Sequence, residues 1–434
     1  MTEKIKSKRK NPWLYIPTLY FTEGVPFIIV NQLSVALLKS LDVSNAVIGY
    51  TNFLYLPWAI KFLWGPIVDS RKTKRWWLLS MQLTITLLFA ITALTLGIGS
   101  TLLPFIALLF ITAFASATHD IAIDGYYLYA LNSKDQALFT GIRSAFYRVA
   151  MIFSGGLLVV VAGKVGSAYN DIRFGWEVAF IIAFIIFLLF RIYHGFILPN
   201  VETERESTSM IDLPFKKIFG EYFKQDKIYI IVTFILTYRL GEALLQRMAQ
   251  PFLMDKFAAG GLNIAVSDVG VIYGTLGIIS LVIGGILGGW IIKKYGLRKA
   301  IFPLALMMNI CNLLYVVLAS VKPHFFVPMD ILGFTFNLYP LVQSFVIIEN
   351  FGYGLGFTAF MVFLLYTSKG EFKTSHFAIS TGLMAVGMII PGSLSGLLQE
   401  AVGYFWLFIV STIVTIPGMI LIKYLPIPEN NNTE

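Results

Sequence analysis

Apolar runs of about 20 residues recur along almost the whole chain, separated by short polar stretches. A run of that length crosses roughly 30 Å of hydrocarbon as a helix. Irregular backbone cannot face lipid, and these runs are far too long for barrel strands, so the pattern predicts α-helical spans. Twelve are predicted, at 13–38, 46–67, 76–97, 102–131, 137–163, 175–198, 228–255, 266–292, 300–321, 340–367, 375–399 and 404–425. The segment 324–340 is apolar for a loop and reads as an interfacial helix. The polar stretch 199–227, with a surface helix at 215–224, divides the spans six and six. The predicted domains are therefore an N-terminal six-helix bundle at 1–198, a linker at 199–227 and a C-terminal six-helix bundle at 228–434.

Composition strengthens this reading. The chain is 57% apolar and only 13% charged, where a soluble domain has about 25% charged residues. The net charge of +9 is not a nucleic-acid footprint, because it segregates by loop. With twelve spans, 22 Lys and Arg fall on the side of the termini. Only Lys39, Lys164, Arg173, Lys256 and Lys322 fall on the other. The positive-inside bias then places both termini in the cytoplasm. The basic N-terminus and the long run after it read as an uncleaved first span. The single Cys311 lies inside a span, and the four His (119, 194, 324, 376) are far apart, so neither a disulfide framework nor a metal or other cofactor is expected.

Within the fourth span sit two carboxylates, Asp120 and Asp124, four residues apart and so on one helix face. A charge at bilayer depth costs several kcal/mol and normally faces a protein interior or a wet pathway. Counting along the helix puts Asp124 roughly 10 Å and Asp120 roughly 16 Å from the terminus side. Arg143 and Arg148 on the antiparallel fifth span lie at matching depths. The expected pairs are Asp124 with Arg143 and Asp120 with Arg148, either as a structural clamp or as a proton-coupled network. His119 adds a group that titrates near neutral pH, though about 100° round the helix from Asp120. Tyr127 lies nearly one turn beyond Asp124. Glu349, beside Asn350 in the tenth span, is a second mid-depth acid. Lys61, near the end of the second span, either snorkels or serves a gate.

The two halves echo each other. Gly65-Pro-Ile-Val-Asp69-Ser70-Arg71-Lys72-Thr73-Lys74-Arg75 follows the second span, and Gly289 to Lys299 carries a similar pattern after the eighth. Lys134 and Gly141 after the fourth span match Lys369 and Gly382 after the tenth. Parallel six-helix repeats are the architecture of major facilitator transporters, with substrate held at mid-membrane. The segment from Gly65 to Arg75 resembles that superfamily's signature between helices 2 and 3, with Ser70 and Thr73 where Arg and Gly are usual. Glu23-Gly24-Val-Pro26, Lys61-Phe-Leu-Trp64 with Pro66 and Asp69, and Ser116 to Asp124 resemble AmpG-type muropeptide permeases, as do Tyr147-Arg148 and Tyr238-Arg239-Leu-Gly241-Glu242. That family is related to the acetyl-CoA transporters. It often has Gln where this chain has His119, and some members carry two further helices.

The resemblance implies an all-α integral membrane protein of twelve transmembrane helices in two pseudo-symmetric six-helix bundles. It also implies a monomer in the cell inner membrane that imports anhydro-muropeptides by alternating access, driven by protons. The expected partners are a glycopeptide substrate, protons and the bilayer. Asp69, Arg71, Arg75, Arg143 and Lys61 become gating candidates. Spans one and seven line the cavity in this superfamily, so Glu23 joins Asp120, Asp124, His119 and Glu349 as proton-coupling candidates. Arg148, Arg239, Glu242, Asn31, Gln32, Tyr127 and Gln246 become substrate-binding candidates. Arg239 and Glu242, at i and i+3, are also expected to pair with each other. Transport of acetyl-CoA or another anionic metabolite is the alternative, although CoA phosphates would call for more basic residues than this mixed set offers. A membrane enzyme is disfavoured by the scattered His and by the lack of a Gly-x-Ser-x-Gly elbow. An ATP-driven pump is disfavoured by the lack of a phosphate-binding loop.

Overall fold

The computed structural model describes residues 10–99, 102–201, 215–331, 334–368 and 373–427. Among the described residues, ten helical stretches are long and apolar enough to cross a membrane: Pro12–Ser40, Lys74–Gly97, Leu102–Ala130, Leu138–Tyr169, Ile172–Ile197, Ile228–Met254, Val266–Tyr295, Leu297–Val321, Pro340–Thr367 and His376–Tyr424. The last runs for 49 residues and turns at Gly403, whose φ of +79° no other residue type adopts cheaply, so it is two spans. The remaining span is broken. Asn45–Tyr50, Leu56–Ile60 and Gly65–Ser70 are α-helical, with tighter turns at Thr51–Tyr55 and Lys61–Leu63 between them. Pro57 and Gly65-Pro66 interrupt its hydrogen-bond ladder. The total is the twelve spans that the hydropathy pattern predicts.

Two compact units form. One comprises Met1–Ser34 and Ile60–Leu213, the other Val35–Ala59 and Pro214–Glu434. The first unit buries Tyr15, Leu19, Tyr20, Leu78, Ile123, Tyr126 and Phe139 in one cluster. In the second, Phe234, Tyr238, Phe360 and Phe363 form an aromatic stack, with the Tyr238 and Phe360 rings 4.6 Å apart. Glycines let its helices touch through backbone, as in other membrane bundles. A Cβ on Gly284 would lie 2.2 Å from the Phe351 carbonyl oxygen, and one on Gly396 only 1.7 Å from that of Asn45.

Two elements qualify the sequence reading. The surface helix forms at Phe215–Phe223 and docks through Tyr222, whose hydroxyl lies 2.8 Å from that of Ser380. The interfacial helix expected at 324–340 does not form. That segment is an antiparallel hairpin, Val327–Ile331 against Phe334–Leu338, with Met329 opposite Phe336 and Asp330 opposite Thr335. The reason is its period: Val327, Met329 and Ile331 alternate with Pro328 and Asp330, and Phe334, Phe336 and Leu338 with Thr335 and Asn337. That is a strand pattern, which mean hydropathy conceals. Asp268, on Val266–Val271, holds the hairpin by accepting from the Asn337 side-chain amide at 3.2 Å.

Candidate functional site

In the first unit, two helices bring three carboxylates together and a third supplies an arginine. Asp120 and Asp124 project from one face of Leu102–Ala130, and Glu23 faces them from Ile16–Ile28. Arg143 on Ser133–Met151 donates to Asp124 at 2.7 Å, the pairing expected from matched depths. Tyr20 donates to the same Asp124 oxygen at 3.0 Å. The Arg143 guanidinium sits over the Tyr20 and Tyr127 rings, 4.4 and 4.8 Å from their centres, so this cation is held by a carboxylate and two aromatic faces.

Asp120 takes a different cation from the one expected. Lys61 Nζ bonds its Oδ2, and the Arg148 partnership is not among the described ion pairs. Lys61 thus faces an acid of the fourth span rather than the membrane surface. The break in the second span explains this. Around Ile60–Trp64 the chain leaves the α-helical path, turning Lys61 inward, while Trp64 donates to Thr118 at 3.1 Å, two residues before Asp120. Arg148 is itself engaged.

Glu23 is the odd member. It is 9% exposed, it lies beside Asp120 and Asp124, and its Oε2 has no hydrogen-bond partner. Among the described residues, these three carboxylates thus share two bonded cations, and Glu23 is the one left without. His119 is fully buried with both ring nitrogens unpartnered, so it is bonded to none of these acids. Tyr127 gives its ring to Arg143 and its hydroxyl to the Gln136 carbonyl, which leaves it a wall of the site rather than a free donor.

In the second unit, the expected Arg239–Glu242 ion pair does not form. The helix breaks between Thr237 and Leu240, which takes Arg239 out of the regular turn that an i,i+3 pair needs. Arg239 instead donates to the Tyr353 hydroxyl and lies 4.9 Å from the centre of the Phe357 ring. Glu242 is 1% exposed and both its carboxylate oxygens are unpartnered, with Gln246 beside it. Glu349, equally buried, accepts from Asn350 at 2.8 Å.

The remaining candidates spread out. Asn31 and Gln32 sit in a π-helical turn, Ile29–Leu33, in the first span. Asn31 donates back to the Phe27 carbonyl, and the Gln32 amide packs on Gly155 in a second π-turn, Ile152–Leu157. Arg75 donates to the carbonyls of Gly195 and Leu198, fixing the end of Ile172–Ile197. Arg71 is exposed, and its carbonyl accepts from Trp77. The Asp69 side chain lies outside the described residues.

Sequence reasoning missed several polar groups. Tyr20 was legible, lying one helical turn before Glu23. His194 bridges Thr18 and Gln82, at 2.9 and 2.8 Å, with no local signal. Within the second unit, Asn45 donates to Gln399 and Asp255 at 2.6 and 3.1 Å, Lys39 pairs with Asp255 at 2.5 Å, and the buried Arg247 donates to the Ile48 carbonyl at 3.0 Å. These bonds join segments up to 354 residues apart.

The sequence profile of the Major Facilitator Superfamily matches residues 18–349. The chain belongs to the Major Facilitator Superfamily. It is a membrane transporter and not an enzyme. It is 26% identical to an anhydromuropeptide permease of Escherichia coli strain K12 over 93% of this chain and 77% of that protein. It is 24% identical to a putative transporter, AmpG 2, of Rickettsia prowazekii over 95% of each. The fold matches a bacterial homologue of the human lysosomal transporter Spinster at TM-score 0.69 and 12% identity, over 96% of this chain and 97% of that one. It also matches a D-xylose–proton symporter at TM-score 0.67 and 11% identity, over 95% and 97%.

Proposed function

We propose that this protein is a proton-coupled importer of anhydro-muropeptides, acting by alternating access in the cell inner membrane with both termini in the cytoplasm. The observation that carries the coupling is the excess acid of the first unit. Asp120 and Asp124 each bond a cation, and Glu23 beside them bonds none among the described residues. A third buried charge there is costly, so Glu23 is the group that takes up a proton in the site's resting arrangement. Movement of Lys61 or Arg143 would pass that proton preference from one acid to another, which is how a cluster of coupled carboxylates links protonation to a change of shape. The permease relative supports the substrate class. Arg239 and Arg148 supply the geometry for substrate carboxylates, and Gln32, Gln246 and Glu242 supply amide and hydroxyl partners. Asp69, Arg71 and Arg75, in the signature segment, serve the gate. The protein works as a monomer of two six-helix repeats.

The test is uptake into proteoliposomes under an imposed pH gradient, comparing an anhydro-muropeptide with acetyl-CoA. Gradient-dependent accumulation of the muropeptide alone is expected. Accumulation of acetyl-CoA instead, or muropeptide uptake indifferent to the gradient, overturns the reading.

A further inference from the structure

The second unit holds a buried polar cluster that the coupling scheme above does not use. Glu242 and Glu349, 1% and 2% exposed, lie within electrostatic range of each other. Arg239 is the guanidinium beside Glu242, and it is turned to the Tyr353 hydroxyl. Two carboxylates facing one cation leave an uncancelled negative charge in a dry, low-dielectric place, which a bound cation or proton must offset.

Neutral polar groups stand at a break in a neighbouring helix. The helical stretch Leu297–Val321 breaks at Cys311–Asn312, where Asn312 and Tyr315 bond three residues back instead of four. At this break stand Asn309, Asn312 and Tyr315, at 5%, 1% and 0% exposure. Every side-chain polar atom of both asparagines and the Tyr315 hydroxyl lacks a partner. Tyr315 and Cys311 both lie within electrostatic range of Glu242 and Glu349. The break crosses Pro340–Thr367 at Gly352, where a Cβ would lie 2.9 Å from Cys311 Sγ, three residues from Glu349. On another side the π-turn Ile272–Gly277 brings Gly277 against the Asn350 amide and Tyr273 toward both acids. Buried polar atoms are nearly always satisfied, by water or an ion where protein does not reach. Broken helices at membrane depth commonly hold cations.

We propose that the second unit carries a monovalent-cation site of its own, centred on Glu349 and bounded by Glu242, Asn309, Asn312 and Tyr315, separate from the acids of the first unit. A sodium ion among these oxygens and a proton on one carboxylate cancel the same charge. The unpartnered amide and phenol oxygens favour sodium, which needs neutral donors besides the carboxylate.

The test uses the purified full chain in detergent and needs no transported substrate, so it stands or falls apart from the muropeptide reading. Thermal unfolding is followed while sodium chloride replaces choline chloride at constant ionic strength. A saturable rise in Tm is expected. It should be absent in Glu349→Gln, shifted to about tenfold higher sodium in Asn309→Ala, and retained in Asp120→Asn. If sodium does nothing, infrared difference spectra from about pH 9 to about pH 5 should show a carboxyl protonation that Glu349→Gln abolishes and Asp120→Asn keeps, making the cation a proton. Asn309→Ala and Asn312→Ala carry the test if Glu349→Gln does not fold. The proposal is overturned if neither signal appears, if both survive in Glu349→Gln, or if Asp120→Asn removes them.

Discussion

Lys61 and Asp120 are bonded directly, amine to carboxylate, although 59 residues separate them and one lies in a helix break while the other lies in an unbroken span. The pair ties the irregular second span to the fourth and sets the charge of the whole acid site. Removing Lys61 alone leaves Asp120 unpaired beside two other carboxylates.

That pair gives the first prediction. Lys61→Met should lower stability by ~1–3 kcal/mol, between the values for exposed and buried ion pairs because Lys61 is 36% exposed. The double variant Lys61→Met, Asp120→Asn should recover much of the loss. Thermal unfolding of the four proteins in one cycle measures it. Additive losses would mean the two side chains are not coupled.

Glu23, the acid without a cation, carries the second. Glu23→Gln keeps the shape and removes the titration. Gradient-driven uptake into proteoliposomes should fall at least about tenfold, a loss equivalent to about 1.4 kcal/mol of coupling, while exchange of substrate across preloaded vesicles persists. Asp120→Asn and Asp124→Asn should also abolish driven uptake with expression intact. Normal pH-dependent uptake in all three variants would refute coupling at this site.

Helix contact in the second unit gives the third. At Gly396 a Cβ would collide with the Asn45 carbonyl, whereas at Gly65 and Gly141 nothing lies within 4 Å. Gly396→Ala should cost ~1–3 kcal/mol by overpacking, and Gly141→Ala should be neutral or slightly stabilising through helix propensity. Detergent melting curves of the two variants separate the cases. An equal response at both positions would contradict the close approach.

The hairpin supplies the fourth. Asp268→Ala removes the acceptor for the Asn337 side chain and costs the hairpin ~1–2 kcal/mol of local stability. Hydrogen exchange across 327–338 should quicken several-fold, with little change in the melting temperature. Unchanged exchange would show that the hairpin is held by its own strand bonds alone.

Much of the site was legible in the chain. Carboxylates in an apolar run announce themselves because lipid tolerates them so poorly. The four-residue spacing fixed the face that Asp120 and Asp124 share, and depth counting along antiparallel spans found Arg143 for Asp124. The same counting missed Lys61, because it assumes a regular helix and the second span is not one. It paired Arg239 with Glu242 for the same reason, across a break that sequence spacing ignores. The hairpin was hidden by averaging hydropathy over a segment whose period was two.

The sequence by itself determined the twelve spans and the presence of costly acids at depth, since length, apolarity and charge are properties each segment carries alone. Only the tertiary structure decided which cation answers which acid, and that Glu23, Glu242 and Glu349 bond none among the described residues. Partnership depends on where helices break and cross. Those breaks arise where proline, glycine and packing of distant segments together outweigh the local preference for a continuous helix.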